Sequence, residues 1–198
     1  MTELQPYVMP IFRQFGNERS FAGTAFCIDG YLVTAGHVLQ NPTTYYVRNG
    51  NDYHPLEFDK WIPQQLPASD RMGYDIAFYP IEGLKSPLSL ADTDADSNDE
   101  LNILCWQYKP SGLVQVATQG LVINDSDEPD HLRIATVDHI TNGCSGCPAF
   151  DNDGKVYGMI TMGRTAVNAP SLPALQLKLE QNSCWAFKSS YMLRFLPR

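Results

Sequence analysis

Three features of the sequence predict an all-β fold. Apolar and polar residues alternate with period two, the alternating runs are rich in β-branched and aromatic residues, and Gly, Pro, Asn and Asp separate them. Successive side chains on a strand face opposite sides of a sheet, so each such run can bury one face and wet the other. Many short strands broken by turn residues pack as a barrel or a sandwich.

The first set of runs covers residues 19–28 (RSFAGTAFCI), 31–35 (YLVTA), 43–49 (TTYYVRN), 53–62 (YHPLEFDKWI) and 75–81 (DIAFYPI). The second covers 101–108 (LNILCWQY), 114–123 (VQVATQGLVI), 131–137 (HLRIATV), 155–162 (KVYGMITM) and 184–188 (CWAFK). One helix is expected, at YMLRFL, where Met192, Leu193, Phe195 and Leu196 form a short apolar face and Ser189 or Ser190 supplies the cap. Between the two sets lies SPLSLADTDADSNDE, 86–100, whose acidic run reads as a solvated connection, since its spacing fits no calcium loop. The division gives two lobes of one domain, 1–88 and 89–198. The stretch 163–183 is long for a loop in a compact domain and is the candidate for a lid.

Hydrophobic residues at 43% with 18% charged describe a packed globule and not a disordered chain. Fourteen Lys and Arg against 22 Asp and Glu, with no cationic cluster, argue against a nucleic-acid partner. No apolar stretch approaches the roughly 18–20 residues that span a bilayer, so no membrane association is expected. The opening MTELQPYVMPIFRQFG lacks the pattern of a signal peptide, and the expected location is cytoplasmic. The five cysteines, Cys27, Cys105, Cys144, Cys147 and Cys184, are accordingly expected as free thiols, mostly buried.

Three local patterns carry chemistry. LVTAGHVL ends a strand and puts His37 at the start of one helical turn. GYDIAFYPI puts Asp75 just ahead of an apolar strand. NGCSGCPAF puts Ser145 in a turn flanked by Gly143 and Gly146. A serine hydroxyl is a weak nucleophile, so an imidazole must take its proton and later return it to the leaving group. A carboxylate holds that imidazole in the right tautomer and stabilises its cation. Cys144 and Cys147 stand at C-x-x-C spacing, which also fits a dithiol or metal module. No second pair stands at ligand spacing, and His37, His54, His131 and His139 form no cluster. DNDGKV, 151–156, lacks the downstream Glu of a calcium loop and reads as a hairpin turn.

The words GTAFCIDGYLVTAGHVL (23–39), DIAFYPIEG (75–83) and GCSGCPAFDNDGKVYGMI (143–160) together resemble the trypsin/chymotrypsin-like serine peptidase superfamily, in the style of its compact bacterial Deg/HtrA branch without a PDZ module. The resemblance implies two six-stranded antiparallel β-barrels, an active-site cleft between them and a short C-terminal helix. It implies a catalytic triad of His37, Asp75 and Ser145, with the N–H groups of Gly143 and Ser145 as oxyanion hole, acting without cofactor or metal on protein or peptide substrates. By family register the substrate pocket is walled by His139, Ile140, Thr141 and Asn142, and by Ile160, Thr161, Met162 and Gly163, with Trp185 and Ala186 closing it. His139 stands where basic-selective relatives carry Asp, so an apolar or small neutral residue is expected before the cleaved bond. Cys144 replaces the Asp that pairs with a processed N-terminus in secreted members. Regulation is therefore expected from a partner protein, a loop rearrangement or restricted access. The alternatives are a catalytically silent relative that only binds a partner and the C-x-x-C module.

Overall fold

The computed structural model describes residues 2–39, 43–62, 75–123, 129–165 and 182–196. Six strands form the first sheet: β1 (Val8–Phe15), β2 (Glu18–Ile28), β3 (Tyr31–Thr34), β4 (Tyr45–Asn49), β5 (Asp52–Leu56) and β6 (Ala77–Pro80), in the order β5-β4-β1-β2-β3-β6. The second holds β7 (Ser89–Leu90), β8 (Glu100–Lys109), β9 (Gly112–Ile123), β10 (His131–Thr136), β11 (Pro148–Phe150), β12 (Lys155–Thr165) and β13 (Asn182–Lys188). Its order is β11-β8-β9-β10-β13-β12-β7, and β11 also pairs with β12, which closes six strands into a barrel.

The architecture is all-β, and among the described residues one α-helical turn, α1 (Ser189–Met192), follows β13. The first sheet, expected as a closed barrel, is open among the described residues. The strand expected over 53–62 stops at Leu56, where the chain leaves the ladder for a 3₁₀ turn at Phe58–Lys60, so only an isolated Ile62–Phe78 bridge reaches β6. Strand β1 is absent from the expected strands, and it carries Pro10, which cannot donate to a ladder. Its pairing with β4 begins at Ile11, so the missing Pro10 N–H faces no ladder on that side. Strand β11 is three residues long, too short for a period to register. The helix cap also differs. Lys188 occupies the cap without a side-chain bond, while Ser190 donates its hydroxyl to the Asp94 carboxylate, beside the Lys188–Asp94 ion pair at 3.3 Å. The acidic connection is exposed, and through Asp94 it also holds the C-terminal turn.

Two apolar clusters organise the interior. One runs through both sheets, from Ile11, Phe26, Leu32 and Phe78 to Leu104, Phe150, Val156, Met159 and Met192. The other fills the closed barrel with Leu101, Ile103, Ile134, Ile140, Ile160 and Ala186. The shared cluster fixes one sheet against the other, and that sets where β2 and β3 meet the turn after β10. Phe26→Ala, in the shared cluster, should lower unfolding free energy by about 3–5 kcal/mol, whereas Phe15→Ala, at 67% exposure, should change it by less than about 0.5 kcal/mol. Urea denaturation of both variants checks this.

Candidate active site

His37 lies in a 3₁₀ turn, Gly36–Leu39, that follows β3 directly. Asp75 stands two residues before β6, which pairs with β3, so the ladder brings the two side chains together. The Asp75 carboxylate accepts twice from His37: from the backbone N–H at 2.6 Å and from ring Nδ1 at 2.7 Å. A proton held on Nδ1 leaves Nε2 with its lone pair, ready to accept one. The imidazole is 36% exposed and the carboxylate 16%, so the ring is open to solvent on one side while its partner is sheltered.

The Ser145 turn is built on two glycines. Gly143 has φ +103° and Gly146 φ +88°, a region that strains residues with a Cβ. Space demands glycine as well. A Cβ on Gly146 would stand 2.2 Å from the Thr24 carbonyl oxygen, and one on Gly143 would stand 2.3 Å from the Phe21 ring. Hydrogen bonds hold the turn from β12, with Gly146 N–H to the Ile160 carbonyl at 2.7 Å and Ile160 N–H to the Cys147 carbonyl at 2.9 Å. They also hold it from β2. Thr24 N–H donates to the Ser145 carbonyl at 2.9 Å, and the Thr24 hydroxyl donates to the Gly143 carbonyl at 2.7 Å while accepting from Trp106 N–H at 3.1 Å. Among the described residues, the N–H groups of Gly143 and Ser145 donate to no backbone carbonyl.

The Ser145 hydroxyl donates to the Thr161 carbonyl at 3.2 Å, and among the described residues no bond joins it to His37. Ser145 and Thr161 therefore meet directly, and the Thr161 hydroxyl is in turn bonded to the Trp185 carbonyl at 3.3 Å. Of the expected pocket residues, Thr141 is half-buried, while Ile140 and Ile160 are packed into the barrel core. His139 and Asp138 are exposed. Met162 and Gly163 continue β12 opposite Trp185 and Cys184. Of the stretch 163–183 expected to act as a lid, residues 166–181 lie outside the described residues.

The cysteines correct an expectation. Cys105 on β8 and Cys144 in the turn are joined as a disulfide, with Cα atoms 5.1 Å apart, so the chain does not hold five free thiols. They stand 39 positions apart in sequence and meet only because β8 runs beneath the turn. Cys27, Cys147 and Cys184 are free and buried, and Cys144 pairs with Cys105 instead of its C-x-x-C neighbour. Burial pushes Cys27 and Cys184 up to about 12 and Cys147 well above its ordinary value, so these thiols stay protonated at neutral pH and are poor nucleophiles. Asp151–Lys155 forms the expected hairpin turn, with the Asp151 carboxylate accepting from the N–H groups of Asp153 and Lys155.

Sequence reasoning did not single out Thr24, Cys105 or Gln107 in this site. The signal for Thr24 was present in GTAF, as a polar residue inside an otherwise apolar strand. Cys105 and Gln107 gave none.

An open β-sheet beside a closed β-barrel, with a His–Asp pair from the first and a Gly-flanked serine from the second, defines a trypsin-like peptidase architecture. The sequence matches the family model described as trypsin-like peptidase domain over residues 23–159, and the chain belongs to that family. No curated protein matches it. Among solved structures it is similar to the Rv3671c protease of M. tuberculosis in its active form, at 18% identity and TM-score 0.68, covering 98% of this chain and 81% of that one. A serine endoprotease from Yersinia pestis gives 17% identity and TM-score 0.68, covering 98% of this chain and 62% of that one. The tobacco vein mottling virus protease gives 10% identity and TM-score 0.65, covering 98% and 83%. At these identities the likeness is one of fold.

Two outcomes follow from the geometry. Thr24→Val keeps the shape but leaves the Gly143 carbonyl and Trp106 N–H without their partner, and urea denaturation should show a loss of about 1–3 kcal/mol for each buried group left unpaired. Protein purified without reductant and then denatured should titrate three thiols, the total of five less the two in the disulfide, and all five after reduction.

Proposed function

We propose that this chain is a serine endopeptidase that cleaves proteins or peptides through an acyl-enzyme on Ser145. The observation that carries the reading is the double hydrogen bond from His37 to Asp75, which orients the ring and leaves Nε2 to accept a proton. In this reading the Ser145 hydroxyl leaves the Thr161 carbonyl and turns to His37 Nε2 when substrate binds. His37 then removes the proton as Ser145 Oγ attacks the substrate carbonyl. The imidazolium, stabilised by Asp75, returns the proton to the departing amine. The N–H groups of Gly143 and Ser145 receive the oxyanion, and each such donor is worth roughly a hundredfold or more in rate. Water, activated by the same imidazole, releases the acyl group.

Pocket chemistry supports an apolar or small neutral residue before the cleaved bond. Asp138, the nearest acidic group to the register position of a basic-selective pocket, is exposed, with its N–H held by the Thr118 hydroxyl and its carbonyl by the Thr136 hydroxyl. A cationic side chain entering there would be desolvated with His139, and not a carboxylate, at the position of its pairing group. Control by a partner protein, a loop rearrangement or restricted substrate access takes the place of N-terminal processing in this reading, because Cys144 occupies the position of the activating carboxylate.

Ser145→Ala and His37→Ala should each lower kcat on a cleaved peptide by a factor on the order of 10⁴ or more, because triad members act as a unit. Asp75→Asn should follow closely. Retention of turnover in Ser145→Ala would end the reading. A peptide set varied at the residue before the bond should favour Leu, Met, Val or Ala, and a preference for Arg or Lys would contradict the pocket argument.

A further inference from the structure

The disulfide sits one residue before Ser145 and ties the serine turn to β8. Both cysteines are fully buried, and between them lies Gln107, itself 1% exposed. Gln107 Nε2 donates to Cys144 Sγ at 2.9 Å and toward Cys105 Sγ at 3.5 Å. Its Oε1 is buried with no hydrogen-bond partner among the described residues. An orphaned buried amide oxygen costs on the order of 1–3 kcal/mol, so it calls for an explanation. Turning the amide by half a rotation explains it, because Oε1 would then face the two sulfurs. A disulfide offers that oxygen nothing, but a thiol S–H is a donor. The same glutamine thus accommodates the bonded pair through Nε2 and the reduced pair through Oε1.

We infer that Cys105 and Cys144 form a reversible thiol–disulfide switch on the oxyanion turn, with Gln107 as the buried amide that accepts both redox states. The inference rests on the serine peptidase reading and adds a means of control to it. The exchange balances as one protein disulfide plus one small dithiol giving two cysteine thiols plus one cyclic disulfide. A thiolate of the dithiol attacks one cysteine sulfur, and the other leaves and takes a proton. The second thiol of the reagent then closes on the mixed disulfide and releases the remaining cysteine. Two electrons and two protons pass to the protein.

The bond matters because of what it holds. The Gly143 carbonyl is fixed by the Thr24 hydroxyl, but the preceding peptide, whose N–H is the oxyanion donor, has neither its Asn142 carbonyl nor its Gly143 N–H in a backbone bond among the described residues. Asn142 is exposed, and glycine at φ +103° leaves that peptide free to rotate. Cys144 restrains it from the other side by its covalent link to β8. Two thiols cannot sit at bonding distance, so reduction parts the turn from β8. A displacement on the order of 1 Å in a catalytic group costs about a hundredfold in rate. The disulfide form is the active one, and in a reducing compartment the enzyme idles until it is oxidised.

The test equilibrates wild-type protein in mixtures of reduced and oxidised dithiothreitol. It reads peptide hydrolysis, labelling of Ser145 by a fluorophosphonate, and the alkylation state of each cysteine by mass spectrometry. The expected result is a fall in kcat of about ten- to a hundredfold on reduction, tracking loss of the Cys105–Cys144 link, with KM changed far less. Cys105→Ser should match the reduced enzyme in every mixture, and Cys27→Ala should keep the redox response. Gln107→Leu removes the amide that serves both redox states and should move the midpoint by roughly threefold or more, a change that a purely structural role would not produce. A link that forms and breaks while activity stays constant overturns the switch and leaves the peptidase reading intact. So does a Cys105→Ser enzyme as active as the oxidised wild type, or a pair that never bonds in oxidised buffer. Absence of hydrolysis and labelling in every mixture, with the link cycling normally, overturns the peptidase reading itself.

Discussion

The Ser145 turn reaches the first sheet through Thr24, a fully buried residue whose N–H, hydroxyl and carbonyl are all committed. The N–H goes to the Ser145 carbonyl, the hydroxyl to the Gly143 carbonyl, and the carbonyl accepts from the Thr34 hydroxyl at 2.7 Å. Thr34 is the last residue of β3, three positions before His37, so a chain of three hydrogen bonds runs from the histidine strand to the serine turn. Each bond alone contributes on the order of 1 kcal/mol. Their consequence for geometry is larger than their energy, because they tie two side chains from different sheets into one frame.

That frame dictates the small residues around it. Gly146 leaves room for the Thr24 carbonyl, Gly143 for the Phe21 ring, and Gly23 for Val38 and the Ser145 carbonyl, where an added Cβ would stand 2.7 and 3.1 Å away. Gly23 on β2 and Gly143 and Gly146 in the serine turn thus serve one close approach between β2, the histidine turn and the serine turn. Backbone satisfaction completes the arrangement, since every carbonyl of the turn that points inward finds a donor. Among the described residues the N–H groups of Gly143 and Ser145 donate to no backbone carbonyl.

Much of this was legible from the chain. Period-two alternation located most long strands, and the His37, Asp75 and Ser145 words stood out because each joins a special turn to an apolar strand. What escaped has physical causes. Pro10 hid β1, since its harmlessness depends on where the β1–β4 ladder starts. Leu56 ends β5 early, and the first sheet is open among the described residues, because the 3₁₀ turn at Phe58 competes with the extended run. The Cys105–Cys144 pair has no local signature. Its partners are joined by tertiary folding alone, and composition pointed instead to five free thiols.

The central claim is that the nucleophile is Ser145 and not one of the neighbouring sulfurs. Incubation with an activated peptide ester, acid quenching and peptide mapping test it most directly. The account predicts a single acyl adduct per chain, carried by Ser145 within the segment from Thr141 to Lys155 and absent when His37 is replaced by Ala. An adduct on Cys147, or one on Ser145 that forms equally well without His37, would contradict it.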